Sequence, residues 1–300
     1  MPQEPDFIHD LNDQQKRAVR HTEGPLLIVA GAGSGKTRVL TYRIAYLIQQ
    51  QKADPRDILA LTFTNKAATE MKERIQELIG DEAKRLWMGT FHSVFSKILR
   101  FEADKIGFTS DYSIYDTEDS KNAIKLLLKE NNYDPKEIKP RTIQRRISDA
   151  KNELINPDHY NEKFVHSTLD DITAKIYRYY VERLKHNNAM DFDDLLIKPI
   201  ELFHKEPEVL EKYQDRFKYI LIDEYQDTNH AQYTVTNLLA EKYENLCVVG
   251  DDAQSIYSFR GADIRNILDF KNDYEDATEI PLEQNYRSTK AILKAADSII

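Results

Sequence analysis

A glycine-rich turn lies between an apolar run and a helix-like segment near the start of the chain. The apolar run covers residues 26–29, and apolar residues recur at helical spacing from Leu40 to Ile48. The turn between them consists of Ala30, Gly31, Ala32, Gly33, Ser34, Gly35, Lys36 and Thr37. Strand, turn and helix in this order favour a parallel α/β sheet, in which the backbone N–H groups of such a turn can surround a phosphate group.

The turn predicts a nucleotide site with two defined side chains. Lys36 is expected to reach the β- and γ-phosphates of a nucleotide, and the Thr37 hydroxyl is expected to bind Mg²⁺. The general pattern begins with glycine, whereas this chain has Ala30 at that position. The alternative is a glycine-rich turn that only packs the helix on the strand.

A pair of acids predicts the other half of this site. Asp223 and Glu224 directly follow the apolar run Tyr219 to Ile222, at the end of a predicted parallel strand where α/β sheets bind ligands. We expect Asp223 to hold Mg²⁺, directly or through water, and Glu224 to orient and deprotonate the attacking water. Two acids after a strand are, taken alone, more often a solvated turn or the start of a helix. Together with the turn at Lys36 they favour phosphoryl transfer.

Composition and charge narrow the class of protein. The single cysteine, Cys247, lies in an apolar run, can form no internal disulfide and has no partner at metal-ligand spacing, which suits a reducing cytoplasm. No apolar run is long enough to span a membrane, and the first residues do not resemble a secretion signal. The net charge of -9 argues against a surface coated with nucleic acid, so any contact with DNA is expected in a groove.

Several segments resemble the motifs of the UvrD/Rep/PcrA family of superfamily 1 helicases, in that family's order and over nearly the whole chain. The matching segments are residues 11–15 (LNDQQ, motif Q), 30–37 (AGAGSGKT, motif I), 62–68 (TFTNKAA, motif Ia), 89–93 (GTFHS, motif Ib), 223–227 (DEYQD, motif II), 250–261 (GDDAQSIYSFRG, motif III) and 284–288 (QNYRS, motif IV). Motifs V and VI of the family are absent from these 300 residues.

The resemblance implies roles around the nucleotide. Gln15 is implied to hydrogen-bond the adenine, while Arg38 and Tyr286 are implied to sandwich it. Gln254 is implied to sense the γ-phosphate, and Arg287 to approach that phosphate as an arginine finger.

Simpler interpretations exist for some of these residues. Asn12 followed by Gln15 can equally form a capping box at the start of a helix, and both roles can hold together. Arg38 can be a solvated helix residue, and the segment around Tyr286 and Arg287 can be a surface turn.

The resemblance also implies a track for single-stranded DNA, where bases stack on aromatic rings beside basic groups. Its implied members are Phe63, Thr64, Asn65, Thr90, Phe91, His92, Tyr257, Phe259 and Arg260. Core packing is the alternative for Phe91 and Tyr257, and a structural hydrogen bond is the alternative for His92. Motif III departs from the family where Ala253 replaces an acid beside Gln254, and where Phe259 replaces a larger tryptophan ring.

The implied fold is α/β, with a RecA-like P-loop NTPase core and a parallel sheet that an all-helical accessory domain interrupts. Long charged stretches such as Asp119 to Asn131 and Leu169 to Lys185 favour this helical insertion. The expected parts are residues 1–110 and 188–278 for the first core, 111–187 for the insertion and 279–300 for the start of a second core. The insertion also contains a cluster of basic residues, which we interpret either as a contact with duplex DNA or as a solvated face. Its members are Lys136, Lys139, Arg141, Arg145, Arg146 and Lys151.

The activity implied by the resemblance is ATP-dependent movement along single-stranded DNA in the 3′ to 5′ direction, with unwinding at single-strand to double-strand junctions. ATP and Mg²⁺ are the implied cofactors, repair or replication proteins are possible partners, and the cytoplasm is the expected location. Without motifs V and VI, we expect these residues alone to hydrolyse ATP weakly and not to unwind duplex. Two alternatives are the motor of a helicase-nuclease and a non-motor NTP-binding module.

Overall fold

A computed structural model of the chain describes residues 3–251 and 262–289. Its strands are β1 (Leu26–Ala30), β2 (Ile58–Thr62), β3 (Trp87–Thr90), β4 (Ser113–Tyr115), β5 (Ala189–Asp191), β6 (Tyr219–Ile222), β7 (Leu246–Gly250) and β8 (Thr278–Leu282). Its helices are α1 (Asp13–Arg20), α2 (Lys36–Gln49), α3 (Asn65–Ile79), α4 (Phe91–Glu102), α5 (Thr117–Glu130), α6 (Pro140–Asn152), α7 (Pro157–Lys163), α8 (Thr168–His186), α9 (Asp194–Lys205), α10 (Pro207–Arg216), α11 (His230–Ala240), α12 (Arg265–Leu268) and α13 (Phe270–Asp273).

Six strands form one sheet in the order β3-β2-β6-β7-β1-β8. Every pair in it is parallel, with β1 between β7 and β8, and β2 between β3 and β6. The predicted α/β fold with a parallel sheet is confirmed. Because the carboxyl ends of parallel strands lie along one edge, the loops that follow β1, β6 and β7 come together there.

The sheet is buried because apolar side chains cover its strands. Every residue of β2, β6 and β7 is buried, which explains why these strands read as continuous apolar runs. Helix α2 packs against α1, α3 and β7, and it buries Val39, Leu40, Ile44 and Leu47. Burying each such side chain stabilises the fold by roughly 1.5 to 3 kcal/mol.

The chain divides into two compact units. Among the described residues, the first unit takes 3–94, 211–228, 236–251 and 262–289, and the second takes 95–210 and 229–235. The first unit contains the six-stranded sheet. None of the described helices is long and apolar enough to cross a membrane.

The second unit has its own core between α5, α6 and α8. Its buried members include Ile124, Leu128, Ile147, Ile176 and Tyr180. The two helices predicted from the charged stretches of the insertion correspond to α5 and α8. The unit is not entirely helical, however, because β4 and β5 pair as a short parallel ladder. These strands have only three residues each, too few for an alternating pattern to be recognised in the sequence.

The boundaries of the units differ from those expected. Leu99 on α4 and Phe108 pack in one cluster with Met190 and Leu195, so these flanking segments group with the insertion rather than with the sheet. At the other end, Thr278–Leu282 pairs with β1 in the first sheet, whereas we expected a second core from residue 279.

Only some members of the cluster of basic residues in the insertion are exposed. Lys151 is 1% exposed, and its Nζ lies 2.8 Å from Asp191 Oδ2 and 2.8 Å from Asp194 Oδ1. Arg146 pairs with Asp170. The expected duplex contact is therefore wrong for Lys151, because this ammonium compensates two buried carboxylates. The exposed members are Lys136, Lys139, Arg141 and Arg145, for which both interpretations stand.

Candidate functional site

The loop between β1 and α2 curls back on itself before the helix begins. Gly33 and Gly35 have φ angles of 78° and 92°, a backbone region that other residues seldom adopt. The turn is closed by two hydrogen bonds to the Gly31 carbonyl oxygen, from the Ser34 backbone N–H at 3.2 Å and the Ser34 hydroxyl at 2.7 Å. The loop therefore has the tight geometry of a phosphate-binding turn, and Lys36 is the first residue of α2.

The predicted nucleotide residues lie next to one another at the carboxyl edge of the sheet. Lys36 Nζ is 2.8 Å from Glu224 Oε2, and the Thr37 hydroxyl donates to Asp223 Oδ2 at 3.4 Å. The Asp223 backbone N–H donates to the carbonyl of Leu61, which continues the sheet ladder to the start of the acidic pair. Two segments far apart in sequence thus meet in one site.

Burial shapes the electrostatics of the acidic residues. It is the main reason that the pKa of Asp223 is raised to about 6, while repulsion from Glu224 adds to this effect and Lys36 opposes it. Burial and Glu224 likewise raise the pKa of Asp227 to about 6. A cation close to Asp223 would favour its charged form. The carboxylate of Asp223 and the hydroxyl of Thr37 are oxygen ligands of the kind Mg²⁺ takes, so these residues fit a magnesium-nucleotide complex.

Glu224 is held from two sides. Its backbone has a φ angle of 51°, an uncommon value for a residue with a side chain. Besides Lys36, the side-chain amide of Gln226 donates to Glu224 Oε2 at 2.9 Å. The same amide accepts the Asp251 backbone N–H at 3.1 Å, at the residue that follows β7. Gln226 lies within motif II, but the sequence does not indicate which partners its amide will find.

Gln15 contacts the phosphate loop itself. Its side chain is 1% exposed, and its Nε2 donates to the Ser34 carbonyl at 3.0 Å. The reciprocal hydrogen bonds between Asn12 and Gln15 form a capping box at the start of α1, as the alternative interpretation predicted. The structure therefore gives Gln15 a structural role, and its contact with adenine stays a prediction.

The two residues implied to sandwich adenine differ in their surroundings. Arg38 lies over the ring of Tyr42, with its guanidinium carbon 5.1 Å from the ring centre. Tyr286 is 54% exposed, and its hydroxyl accepts a 2.8 Å hydrogen bond from the Asn12 side chain. Tyr286 is thus accessible to a ligand, whereas Arg38 already contacts Tyr42. The paired role stays a prediction.

The segment that carries Arg287 is fastened to the phosphate loop. The side-chain amide of Asn285 donates to the Ala32 carbonyl at 2.5 Å, and the Tyr286 backbone N–H donates to the Gly33 carbonyl at 2.8 Å. A Cβ placed on Gly33 would lie 2.5 Å from the Cβ of Arg287. Arg287 therefore starts from a position beside the loop, which is compatible with its implied approach to the γ-phosphate. Sequence reasoning assigned Asn285 no role.

The residues implied to bind DNA at the ends of β2 and β3 are not equally accessible. Phe63 is half-buried and its ring centre lies 5.7 Å from that of Phe91. Phe91 is 1% exposed, which agrees with the core packing given as its alternative. A contact of Phe91 with DNA stays a prediction. Thr64 caps α3 by accepting the Ala67 N–H at 3.1 Å, and Asn65 is exposed at the first position of that helix.

Of the other protein residues implied to bind DNA, the structure describes only Thr90 and His92. Thr90 is buried, and its hydroxyl accepts the Ser93 N–H at 3.3 Å. Burial lowers the pKa of His92, which favours a neutral ring. Gln254, Tyr257, Phe259 and Arg260 lie outside the described residues, as does Ala253.

Comparison with known proteins identifies relatives of this chain. A family model for the UvrD/REP helicase N-terminal domain matches residues 11–275. A protein named ATP-dependent DNA helicase PcrA from Staphylococcus aureus (strain Mu50) is 54% identical over 296 residues, which cover 98% of this chain and 40% of that protein. The protein of the same name from Staphylococcus epidermidis (strain ATCC 12228) is 54% identical over 294 residues, with the same two shares. The chain thus spans about 40% of the length of these curated relatives.

Proposed function

The chain belongs to the UvrD/REP helicase family, and we propose that it forms the ATP-hydrolysing part of a motor that moves along single-stranded DNA. One observation carries the proposal. At the carboxyl edge of the sheet, Lys36 lies 2.8 Å from Glu224 and Thr37 lies 3.4 Å from Asp223. A phosphate-binding loop and an acidic pair at this distance are the parts that nucleotide hydrolysis requires.

Each residue has a defined task in the proposed hydrolysis. Lys36 leaves Glu224 and binds the β- and γ-phosphates, and Glu224 then accepts the proton of the attacking water. Thr37 and Asp223 would hold the Mg²⁺ that binds with ATP, and this ion would supply positive charge at the phosphate oxygens. Arg287 and Gln254 stabilise the charge that develops on the γ-phosphate, and Tyr286, Arg38 and Gln15 bind the adenine.

The proposed substrate is single-stranded DNA, including its junctions with duplex, and the proposed direction is 3′ to 5′. The half-buried ring of Phe63, next to exposed Thr64 and Asn65, offers a stacking face and polar groups at the same edge of the sheet as the nucleotide. The curated relatives are named DNA helicases, which supports this assignment. A cytoplasmic protein that acts with repair or replication proteins fits the proposal.

Hydrolysis of ATP by the full-length protein tests the function directly. We expect turnover to depend on Mg²⁺ and to rise at least about tenfold when an unstructured oligonucleotide such as oligo(dT) is added. Unwinding of duplexes with a 3′ or a 5′ single-stranded tail then tests direction, and only the 3′-tailed substrate should open. An ATP turnover rate that does not change when DNA is added would favour a non-motor NTP-binding module. Degradation of the DNA during unwinding would favour a helicase-nuclease.

A further inference from the structure

Gln226 lies at the junction of the acidic pair and strand β7. Its side chain is 1% exposed, so its amide has little access to bulk water. The amide nitrogen donates to Glu224 Oε2 at 2.9 Å, and the amide oxygen accepts the Asp251 N–H at 3.1 Å. The two ends of one amide therefore connect the side chain of Glu224 to the backbone at the end of β7.

The fold allows this position because β7 ends in glycine. A Cβ placed on Gly250 would lie 2.6 Å from Gln226 Oε1, closer than side-chain atoms can approach. The backbone of β7 thus passes directly against the amide. A buried amide held at both ends and confined by a strand has little freedom to rotate, so it can fix the position of its acceptor.

The hydrogen bonds to Glu224 meet on one oxygen. Lys36 Nζ and Gln226 Nε2 both donate to Oε2, which turns Oε1 away from these two donors. When Lys36 binds the phosphates of a nucleotide, its contact with Glu224 is given up. The donor from Gln226 does not depend on Lys36, so it can hold the carboxylate at the moment when a base is needed.

We propose that Gln226 is a positioning residue, which fixes the Glu224 carboxylate for ATP cleavage and ties it to the backbone at the end of β7. This inference rests on the proposed function and adds a residue to that same site. The essential contact is the hydrogen bond from the amide nitrogen of Gln226 to the Glu224 carboxylate. The acceptor end orients the side chain through Asp251.

The test uses the full-length protein with Gln226→Met and Gln226→Glu. Methionine has similar length without the amide, and glutamate keeps an acceptor for the Asp251 N–H but replaces the donor with a carboxyl group. We expect both variants to lower the single-turnover rate of ATP cleavage on oligo(dT) by about 10- to 100-fold, as expected for a misplaced catalytic group. The dissociation constant of ATP, measured before cleavage, should stay within about threefold of wild type.

Gln214→Met is the matched control. Gln214 is also buried in the first unit, and its amide donates to the Leu238 carbonyl at 2.8 Å, outside the nucleotide site. This variant should cleave ATP at the wild-type rate even if its melting temperature falls.

Three results would overturn the assignment of Gln226. The first is ATP cleavage by Gln226→Met at the wild-type rate, and the second is ATP cleavage by Gln226→Glu at the wild-type rate. The third is a loss of cleavage matched by an equal loss of ATP affinity, which indicates a merely structural role. If wild-type protein cleaves no ATP, the proposed function itself fails. If wild-type protein cleaves ATP and both variants match it, only the role of Gln226 fails.

Discussion

At the scale of single residues, the surroundings of Asp223 disfavour the charged form of its carboxyl group. Asp223 is buried next to Glu224, and its pKa is raised to about 6 from an ordinary value of 3.8. An acid whose pKa is higher in the folded chain binds its proton more tightly there. The free energy of unfolding therefore decreases as the pH rises from about 4 through 6, and the full penalty remains above that range. Such a cost agrees with the proposed role of Asp223 in binding Mg²⁺, because a bound cation would favour the charged carboxylate.

Asp223→Asn should stabilise the protein while removing its use of Mg²⁺. Without nucleotide and Mg²⁺, we expect this variant to have a higher free energy of unfolding than wild type by about 2 to 3 kcal/mol at pH 8. The gain should shrink as the pH is lowered towards 4, because wild-type Asp223 is then protonated as well. Urea unfolding of both proteins at several pH values measures the difference. A gain that does not vary with pH, or a loss of stability at pH 8, would contradict the account of Asp223.

At the scale of elements, a buried arginine joins α2 to the end of α1. Arg43 is fully buried on α2, and its guanidinium donates to the carbonyls of Ala18, His21 and Thr22. These carbonyls belong to the last turn of α1 and the residues after it, where a helix leaves acceptors without internal partners. Burial lowers the pKa of Arg43. The three backbone carbonyls compensate this buried charge by hydrogen bonding.

Arg43→Met should therefore destabilise the first unit. Three backbone acceptors lose their donor, and we expect the free energy of unfolding to fall by about 2 to 5 kcal/mol. The exposed Arg17 on α1 offers a control, since Arg17→Met should change stability by less than about 0.5 kcal/mol. Denaturant unfolding of wild type, Arg43→Met and Arg17→Met measures these free energies. Equal stability of the two variants would refute the capping role.

Local patterns predicted most elements of the sheet because its strands are buried on both faces. The apolar runs at 26–29 and 219–222 correspond to β1 and β6, and the run that contains Cys247 corresponds to β7. Strand β3 was missed, since it has only four residues at the edge of the sheet and includes Gly89. The partner of β8 was also missed, because pairing with β1 joins opposite ends of the described chain.

The nucleotide site was predictable where chemistry depends on residue type and position after a strand. Lys36, Thr37, Asp223 and Glu224 follow from that rule, and the structure places them together. The contact of the Gln15 amide with the Ser34 carbonyl and the contacts of the Gln226 and Asn285 amides were not predictable. Each amide contacts a loop backbone or a carboxylate through a hydrogen bond that only the folded chain defines. An amide can donate and accept, so its type alone does not indicate a partner.

At the scale of the whole molecule, the acidic net charge restricts where the proposed contact with DNA can form. With a net charge of -9, general attraction to phosphates is weak, and stacking on aromatic rings gains importance. Phe63 is supported from the core side by Phe91, whose ring centre is 5.7 Å away. Phe63 thus offers a partly accessible ring that packs against the buried ring of Phe91.

Phe63→Ala should weaken binding of single-stranded DNA without affecting the nucleotide. Loss of one stacking ring is expected to raise the Kd for oligo(dT) by about 5- to 150-fold, equivalent to about 1 to 3 kcal/mol. Fluorescence anisotropy with labelled oligo(dT) measures this change, and ATP affinity should stay as in wild type. Phe101 in the second unit is exposed, and Phe101→Ala should bind DNA normally. Similar affinities for Phe63→Ala and Phe101→Ala would remove Phe63 from the DNA track.

The central claim is that Lys36, Asp223 and Glu224 form a site that hydrolyses ATP in response to single-stranded DNA. The most direct measurement compares wild type and Glu224→Gln in the full-length protein, with ATP affinity and steady-state turnover determined on the same samples with oligo(dT). Glutamine keeps the shape of the side chain but cannot act as a base. We predict that Glu224→Gln binds ATP about as tightly as wild type and turns it over at least about 100-fold more slowly. Turnover by Glu224→Gln at the wild-type rate would contradict the claim.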